Sequence, residues 1–366
     1  MNTLFIETIS APEEIKSSIK KLFGHIKFSK EVSKGCNGYL FLGQNTVLNR
    51  TVAVKYYYWG GERKYHAEPK RLAEIDSPNV IKIYDAALMD NDWAYFITPY
   101  CPAGDIDDVL SSQIMGNIQA ASLTSQILNG LAHLHSGRYL HGDLKPANIF
   151  LDESGVPLIG DFGSVRLVPE GDTEVTGSGH SILYRPPESV ATGKYQVQGD
   201  VYQVGIVLYQ LLGGYLPYEG TAWLNKTQLN KYKDITDDID QAIFITDALK
   251  ETIKKGRLLN LKSLPPWVPP KLRRAIGKAC NVDPSKRFDS ASSFSAHLHS
   301  LSGELKDWCI QEGVPTLIGK TCFRICPQTG TELYSVEKRK TGSWKKAKTF
   351  GVSTLAEQVK KVEESL

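Results

Sequence analysis

The sequence predicts an α+β fold with a sheet-rich first lobe, a helical second lobe and a small α+β unit at the C-terminus. Residues 26–58 hold β-branched and aromatic runs broken by Gly and Asn, which is typical of several strands. From about residue 105 to about 300, except around 139–190, apolar residues recur at i, i+3 and i+4, which indicates helices. Strand-like runs separated by Thr-Gly pairs return over 321–349, and 353–364 is helical. We therefore expect the last unit to contain three strands and one helix.

The composition is that of an ordinary globular chain. Of its 366 residues, 41% are hydrophobic and 23% are charged, so we expect a sizeable core and two or three domains. The formal net charge of +3 is too small for the whole molecule to bind nucleic acid or a membrane through its bulk charge. Only a local basic patch could have that role.

The chain carries no pattern typical of secretion or membrane insertion. The N-terminal segment MNTLFIETISAPEE lacks both a basic region and a long apolar core, so we expect no signal peptide. The longest apolar run, VGIVLYQLL at 204–212, is far shorter than a bilayer span and predicts a buried helix. We expect a reducing, cytoplasmic location and no membrane partner. The six cysteines are scattered, at positions 36, 101, 280, 309, 322 and 326.

These patterns divide the chain into three segments. Residues 1–25 are an N-terminal extension, in which 12–24 predicts a short amphipathic helix. Residues 26–300 form the main domain, and SLSGE at its end leads into an accessory domain at 303–366. Within the main domain, 219–262 is long and predicts added helix, which could be a docking surface or a simple insertion.

The segment YLHGDLKPANIFLD contains the strongest candidate for chemistry. Asp143 is followed five residues later by Asn148, with apolar runs on either side. This spacing can place a proton acceptor and a metal-binding amide in one cleft. Elsewhere, a buried Asp would be a structural hydrogen-bond acceptor only.

The order of several motifs closely resembles the eukaryotic-type protein kinase family. After the strands come VAVK at 52–55, HGDLKPAN at 141–148, DFG at 161–163 and PPE at 186–188. The likeness covers roughly 26–300. It implies a bilobal kinase-like fold and an ATP-dependent enzyme that transfers the γ-phosphoryl group to protein substrates.

The resemblance assigns a role to each residue of the catalytic motifs. Asp143 would orient or deprotonate the acceptor hydroxyl, and Lys145 would neutralise the moving phosphoryl group. Asn148 and Asp161 would hold Mg²⁺, with Mn²⁺ as an alternative. Lys55 would bind the α- and β-phosphates and pair with a helix Glu.

The acidic partner of Lys55 is the least defined member of this set. Glu68 is the best match by position, although Pro69 follows it and biases Glu68 away from helix. The helix is therefore expected to begin near Glu68, and Glu62 and Glu74 remain alternatives.

The nucleotide would be held by a glycine-rich loop and by the segment between the lobes. SKGCNGYLFLG at 33–43 resembles the family's glycine-rich loop, with Ser where the first glycine usually stands. The segment WAYFITPYCPAGDI at 93–106 resembles the interlobe hinge. There Pro99 keeps the carbonyl that would bond adenine, and Cys101 would supply the backbone N–H. Besides Lys55, the implied nucleotide contacts are Ser33, Gly35, Gly38, Leu40, Ala53, Thr98, Pro99, Cys101, Asp105 and Phe150.

Gly142 departs from the family pattern. Most protein kinases have Arg before the catalytic Asp, where it binds a phosphate on the segment after DFG, and Gly cannot do so. HGDL is also typical of small-molecule kinases resembling aminoglycoside and choline phosphotransferases. The long segment after DFG, together with Glu188 and Arg287, which match the family's buried ion pair, favours the protein kinases. Lys145 indicates Ser or Thr acceptors, and DVYQVG at 200–205 matches the helix start that supports the catalytic loop.

One alternative of another class is a pseudokinase scaffold that binds nucleotide or partners without turnover. The chain keeps all four residues of the catalytic motifs: Lys55, Asp143, Asn148 and Asp161. This favours the enzyme, because a scaffold does not need all four.

The C-terminal unit contains a basic segment, KRKTGSWKKAK at 338–348, with six basic side chains and no acidic one. It faintly resembles small DNA-binding domains that contact a groove with a sheet. A solvated hairpin or a protein-docking surface remains the alternative. Cys309, Cys322 and Cys326 also lie in this unit, but no second CxxC pair is present, so buried thiols are expected rather than zinc.

Overall fold

The computed structural model describes residues 2–32, 38–58, 72–89, 93–112, 114–177 and 181–366. Within these ranges the chain forms a sheet-rich first lobe, a helical second lobe and a C-terminal unit packed on the second lobe. No helix in the described ranges has both the length and the hydropathy needed to cross a lipid bilayer.

The first lobe contains an antiparallel sheet whose described strands run in the order β1-β2-β3-β5-β4. These strands are β1 (Ile26–Val32), β2 (Tyr39–Asn45), β3 (Arg50–Tyr58), β4 (Asp85–Leu88) and β5 (Trp93–Pro99). Side chains along β3 alternate between the two faces of the sheet, so Val54 and Tyr56 lie on one face and Lys55 on the other. The face that carries Lys55 turns toward the second lobe.

Two N-terminal helices, α1 (Asn2–Thr8) and α2 (Glu13–Leu22), cover the opposite face of this sheet. Ile15 and Ile19 of α2 are fully buried in the same cluster as Val54 and Tyr56. The Tyr56 hydroxyl donates to Ser18 Oγ at 3.1 Å. The predicted amphipathic helix is confirmed, and it supports the strand that carries Lys55.

The second lobe is built around a buried helix, α6. Its helices are α3 (Ile106–Ser112), α4 (Asn117–Ser136), α5 (Pro187–Thr192), α6 (Val197–Leu211), α7 (Lys226–Lys233), α8 (Asp238–Lys254), α9 (Pro270–Ala279) and α10 (Ala291–Leu301). Apolar side chains on every face of α6 are buried, as the apolar run at 204–212 predicted. The extra helix predicted within 219–262 corresponds to α7 and α8.

Short antiparallel strand pairs hold the loops between the lobes. The pairs are β6 (Tyr139–Leu140) with β9 (Arg166–Leu167), β7 (Ile149–Leu151) with β8 (Pro157–Ile159), and β10 (Val175–Thr176) with β11 (Lys194–Tyr195). These pairs fix both ends of the loop that contains Asp143 and of the segment that follows DFG.

The C-terminal unit, all of whose residues are described, has six strands where the sequence predicted three. They are β12 (Asp307–Gln311), β13 (Val314–Ile318), β14 (Cys322–Pro327), β15 (Tyr334–Arg339), β16 (Lys345–Lys346) and β17 (Val352–Ser353). The predicted helix is α11 (Leu355–Glu364). The sequence analysis did not predict β12, β13 or the two-residue β17, and Pro315 makes β13 atypical for an interior strand. The turn between β12 and β13, Glu312-Gly313, has φ values of 51° and 76°, as two-residue hairpins require.

The C-terminal unit shares one hydrophobic core with the second lobe. Trp308 of β12 is fully buried and stacks against Trp267, with ring centroids 6.5 Å apart. The Asn117 side chain donates to the Trp267 carbonyl at 2.8 Å. Gly116 lies so close to β12 that an added Cβ would be 2.5 Å from the Trp308 carbonyl oxygen. A side chain at 116 would therefore push the two parts of the molecule apart.

Candidate active site

Asp143 lies in the loop between β6 and β7, where its neighbours hold the carboxylate in one orientation. The Lys145 ammonium lies 2.9 Å from Asp143 Oδ2. The Asn148 amide donates to the Asp143 carbonyl at 2.7 Å and to the same Oδ2 at 3.2 Å. The other oxygen, Oδ1, is buried and has no hydrogen-bond partner among the described residues. Oδ1 therefore has an acceptor position that no described group of the protein uses.

The backbone of this loop is anchored on Asp200 at the start of α6. The backbone N–H groups of His141 and Gly142 each donate to the Asp200 carboxylate at 2.9 Å. His135 Nε2 and the Tyr195 hydroxyl contact the same carboxylate at 2.8 and 2.6 Å. Burial alone would raise the pKa of Asp200, but these partners, His135 first, outweigh burial and hold the pKa below its ordinary value.

Gln203, one turn further along α6, adds a second anchor. Its Oε1 accepts from the Leu144 backbone N–H at 2.8 Å, and its Nε2 donates to the Gly142 carbonyl at 3.4 Å. Gly142 has a φ of 75°, a conformation that glycine adopts without strain. The sequence prediction that DVYQVG supports the catalytic loop is confirmed.

Lys55 and Asp161 meet across the interlobe cleft. The Lys55 ammonium lies 2.5 Å from Asp161 Oδ1. Burial alone would raise the pKa of Asp161, but the positive charge of Lys55 outweighs burial and lowers the pKa below its usual value. The Gly160 backbone N–H donates to the Asn148 carbonyl at 2.9 Å, which ties the residue before Asp161 to the Asp143 loop. The structure therefore brings Lys55, Asp161, Asn148 and Asp143 to one cleft.

Aromatic packing fixes the position of Phe162, the second residue of DFG. Its ring lies 5.8 Å from that of Phe96 on β5, in an edge-on arrangement. Phe96 in turn stacks on Tyr57 of β3 at 4.8 Å. The Phe162 ring also lies 6.4 Å from the imidazole of His141. This series of rings joins the Lys55 strand to the catalytic loop by continuous packing across the cleft.

The residues implied to surround adenine lie along the hinge side of the cleft. Ala53 is paired with Thr98 across β3 and β5, and Pro99 ends β5. Cys101 is buried, and burial raises the pKa of its thiol to about 11. Asp105 is also buried, and its Oδ1 accepts from the Asp108 backbone N–H at 3.0 Å. Its carboxylate thus helps to cap α3, a contact that the implied ribose role did not anticipate.

Strand contacts place two further nucleotide candidates beside these residues. Leu40 of β2 pairs with Lys55, and Phe150 forms an isolated bridge with Asp105. Gly38, at the start of β2, has a φ of 137°, and an added Cβ there would collide with the Tyr56 carbonyl oxygen. Glycine is therefore required at this end of the predicted phosphate-covering loop.

Several predicted positions lie outside the described residues. They are Ser33 and Gly35 of the glycine-rich loop, and Glu68 and its alternative Glu62 as partners of Lys55. The remaining alternative, Glu74, is described and is exposed.

The sequence analysis missed two residues beside the catalytic loop. Ser181 accepts a hydrogen bond from the Lys145 ammonium at 2.6 Å, so Lys145 bridges Asp143 and the segment after DFG. Burial lowers the pKa of the Arg185 guanidinium, whereas the negative charge of Asp143 acts in the opposite direction. Both residues belong to SILYRPPE, the same segment that the sequence analysis used only to choose between families.

The predicted ion pair of Glu188 and Arg287 is confirmed. Two guanidinium nitrogens of Arg287 lie 2.8 and 2.6 Å from the two Glu188 oxygens. The Arg287 side chain is fully buried and also lies over the Tyr202 ring, 4.9 Å from its centroid. This pair fixes α5, and with it the end of the segment after DFG, to the base of the second lobe.

The donors in the cleft fit a hard divalent cation completed by substrate phosphates. Asn148 and Asp161 offer oxygen atoms, which Mg²⁺ and Mn²⁺ prefer, and Mg²⁺ is commonly held by one or two carboxylates plus phosphates. In the described parts of the chain, no three His, Cys, Asp or Glu side chains cluster as a metal site of their own. Substrate phosphates would complete the coordination of a metal held by Asn148 and Asp161.

The chain belongs to the protein kinase family, because the family model described as "Protein kinase domain" matches residues 26–299. This match agrees with the resemblance inferred from the motifs and with the two-lobed architecture.

Curated relatives from bacteria carry the same domain. The chain is 26% identical over 289 residues to serine/threonine-protein kinase PrkC of Bacillus subtilis (strain 168), covering 76% of this chain and 41% of that protein. It is 29% identical over 326 residues to serine/threonine-protein kinase pkn2 of Myxococcus xanthus, covering 86% of this chain and 37% of that protein. It is 25% identical over 283 residues to serine/threonine-protein kinase PknL of Mycobacterium tuberculosis, covering 75% of this chain and 65% of that protein. The chain thus spans about two fifths of the length of PrkC and pkn2.

Proposed function

We propose that the chain is an ATP-dependent protein kinase that transfers the γ-phosphoryl group to Ser and Thr hydroxyls of protein substrates. The observation that carries this proposal is the unequal environment of the Asp143 oxygens. Oδ2 is held by Lys145 and Asn148, whereas the buried Oδ1 has no partner among the described residues. A carboxylate oriented in this way is suited to a substrate hydroxyl that needs a proton acceptor.

In the proposed mechanism, the chain positions its substrates and stabilises charge. Asp143 Oδ1 accepts the proton of the acceptor hydroxyl and aligns its oxygen for in-line attack on the γ-phosphorus of ATP. The bond between that phosphorus and the β,γ-bridging oxygen breaks, and ADP leaves. Lys145 neutralises the negative charge that develops on the moving phosphoryl group, and Lys55 binds the α- and β-phosphates. Asn148 and Asp161 would hold Mg²⁺, or Mn²⁺ in its place. When bound, the metal neutralises phosphate charge and orients the phosphates.

The remaining nucleotide contacts are proposed on the basis of family position. Ala53, Leu40 and Phe150 would enclose the adenine, and the Pro99 carbonyl and Cys101 N–H would bond its edge. Asp105 would contact the ribose. Supporting this, strand pairing joins Leu40 to Lys55 and Ala53 to Thr98, and an isolated bridge joins Phe150 to Asp105.

Two rival functions predict different products. A pseudokinase would bind nucleotide without transfer, whereas a small-molecule phosphotransferase would label an alcohol or aminoglycoside in place of a protein. The Lys145–Ser181 contact and the Glu188–Arg287 pair favour a protein acceptor, because both order a segment on which a polypeptide could lie.

We also propose a cytoplasmic location and a separate macromolecular partner, nucleic acid or protein, for the C-terminal unit. Support for the location comes from Cys101, Cys280, Cys309, Cys322 and Cys326, which are all free thiols. Support for the partner comes from the six basic side chains at 338–348.

A transfer assay tests the proposed activity. The purified 366-residue chain is incubated with γ-labelled ATP, Mg²⁺ and, in parallel reactions, a generic acceptor protein, choline or an aminoglycoside. Nucleotide binding is measured on the same preparation, and the labelled amino acids are identified after hydrolysis. We expect phosphoserine and phosphothreonine, and no transfer by Asp161→Ala, which lacks a metal ligand. Bound nucleotide without labelled protein would indicate a pseudokinase, and label on choline or an aminoglycoside alone would indicate a small-molecule enzyme.

A further inference from the structure

Asp107, in the first turn of α3, carries a negative charge that no described residue neutralises. The Tyr218 hydroxyl donates to its Oδ1 at 2.9 Å, and no Lys or Arg in the described ranges forms an ion pair with it. Asp107 is half-buried. A carboxylate has about four acceptor positions, of which this contact uses one. The carboxylate can therefore bind a further donor, and a positively charged donor would form the strongest hydrogen bond.

A series of hydrogen bonds leads from the segment after DFG to this carboxylate. The Tyr184 hydroxyl donates to Gln210 Oε1 at 2.9 Å, and Gln210 Nε2 donates to the Tyr218 oxygen at 3.3 Å. Tyr184 and Gln210 are buried, whereas Tyr218 is 60% exposed. The buried polar groups are thus satisfied within the protein, and the series ends on the partly exposed carboxylate of Asp107.

The first residue of this series, Tyr184, lies beside the catalytic loop. Its backbone N–H donates to the Ser181 carbonyl at 2.9 Å. The Ser181 hydroxyl accepts from the Lys145 ammonium, which also contacts Asp143. The hydrogen bonds that orient Asp107 are therefore continuous with those around the proposed proton acceptor.

The start of α3 is tied to the same loop from the other side. The Leu151 N–H of β7 donates to the Gly104 carbonyl at 2.9 Å, and Asp105 forms a bridge with Phe150. Strand β7 begins directly after Asn148. Asp107 is thus connected to the Asp143 loop from two directions by short contacts.

The surroundings of Asp107 favour a basic side chain over other occupants. Tyr215 and Tyr218, in the loop after α6, are 75% and 60% exposed. A guanidinium can bond a carboxylate and also stack on a tyrosine ring, and an ammonium does the second less well. An apolar occupant would cover the charge of Asp107 without a partner, and an acidic occupant would be repelled by it.

We propose that Asp107 and Tyr218 form a subsite for a basic side chain of the protein substrate, Arg in preference to Lys, within about five residues of the acceptor. Five residues of extended peptide span at most about 18 Å. This inference rests on the proposed kinase function and deepens it by naming a feature of the substrate. Asp107 acts as a specificity-determining residue, because it takes no part in the proposed phosphoryl transfer.

The test places a single Arg at each of the five positions on either side of one Thr acceptor, in an otherwise neutral peptide. Values of kcat and KM are measured for each peptide, and binding of the same peptides without ATP is measured by fluorescence anisotropy. At one position, or at two neighbouring positions, Arg should raise kcat/KM roughly tenfold over Ala, mainly through a lower KM. Lys at that position should give a smaller gain.

Asp107→Asn should reduce the Arg-to-Ala ratio of kcat/KM from roughly ten to below about two. Because both peptides are measured on one enzyme, partial misfolding would lower both rates and leave their ratio unchanged. The matched control, Asp234→Asn, removes the same charge from an exposed position at the end of α7 and should retain the wild-type ratio. Asp107→Lys reverses the charge and should favour Glu over Arg at the same position.

Equal rates with Arg and Ala at every position, or a preference that Asp107→Asn retains, would overturn the subsite. The Asp107–Tyr218 contact would then only connect α3 to the loop after α6. Equal losses in Asp107→Asn and Asp234→Asn would also overturn it, because net charge alone would account for them. Arg-dependent binding that Asp107→Asn abolishes, without transfer to any peptide, would support the subsite and contradict the proposed kinase activity.

Discussion

Asp161 has two roles at the residue scale, because it pairs with Lys55 and is the proposed metal ligand. The 2.5 Å contact with Lys55 lowers the pKa of Asp161 in the folded protein despite its partial burial. A carboxyl group whose folded-state pKa is lowered contributes stability above its unfolded pKa of about 3.9, and this contribution is lost as pH falls through the folded value. The ion pair is therefore fully present at neutral pH.

The first prediction concerns this pH dependence. Between pH 7 and 5 the Asp161 contribution should be constant, and below about pH 4 the free energy of unfolding should fall as Asp161 becomes protonated. The free energy of unfolding is measured by urea unfolding of the wild type and of Asp161→Asn at pH 7, 5, 4 and 3. The variant should lose less stability in acid than the wild type, and equal acid losses would contradict the assignment.

At the scale of elements, strand pairing and ion pairs hold the described residues on either side of 178–180 in the segment after DFG. β10 pairs with β11, and the Gly177 N–H donates to the Gly193 carbonyl at 2.7 Å. Glu174 forms an ion pair with Lys194 across the same strands. Lys145 and Ser181 fix the far end of the segment. Because Gly142 cannot bind a phosphate as Arg does, we expect these contacts to hold the segment in place.

The second prediction follows: activity should not require phosphorylation of Thr173, Thr176, Ser178 or Ser181. Enzyme treated with phosphatase should show no lag and nearly the full initial rate, because the segment is already held by β11. Thr173→Ala/Thr176→Ala is the matched variant and should behave in the same way. A large loss of rate that returns on incubation with ATP would show that another basic residue binds an activating phosphate.

Features set by neighbouring residues could be predicted from the sequence, whereas contacts between distant residues could not. Motifs such as VAVK and HGDL are local, so the positions of Lys55 and Asp143 could be predicted from the residues beside them. The contacts of Lys145 with Ser181 and of Asp200 with Tyr195 depend on tertiary packing and were not predicted. The first two strands of the C-terminal unit were not predicted, and Pro315, which lies in the second of them, is a residue that sequence patterns disfavour in interior strands.

At the scale of the whole molecule, the C-terminal unit is continuous with the second lobe. Trp308 is fully buried between Trp267 and α11, where its Nε1 donates to Glu363 at 2.8 Å. Gly116 permits this close approach. The boundary proposed near residue 300 therefore divides the sequence but does not divide the hydrophobic core.

The third prediction tests this continuity. Trp308→Ala should lower the free energy of unfolding by about 3–5 kcal/mol, because it leaves a cavity in a shared core. Leu333→Ala, at an exposed position of the same unit, should change it by no more than about 1 kcal/mol. Urea unfolding of the full chain should show one transition that shifts as a whole. Two transitions, of which only one responds to Trp308→Ala, would mean that the unit folds independently.

Asp143 is proposed to accept the proton of the substrate hydroxyl, while other residues bind the nucleotide. The most direct test measures ATP affinity and the rate of phosphoryl transfer to protein on the same preparations of wild type and Asp143→Asn. The amide keeps the shape of the side chain but is a poor proton acceptor, so the rate should fall by roughly 10²–10⁴-fold. ATP affinity should change by less than about threefold, because the rate loss belongs to the transition state. Wild-type turnover by Asp143→Asn would contradict the account.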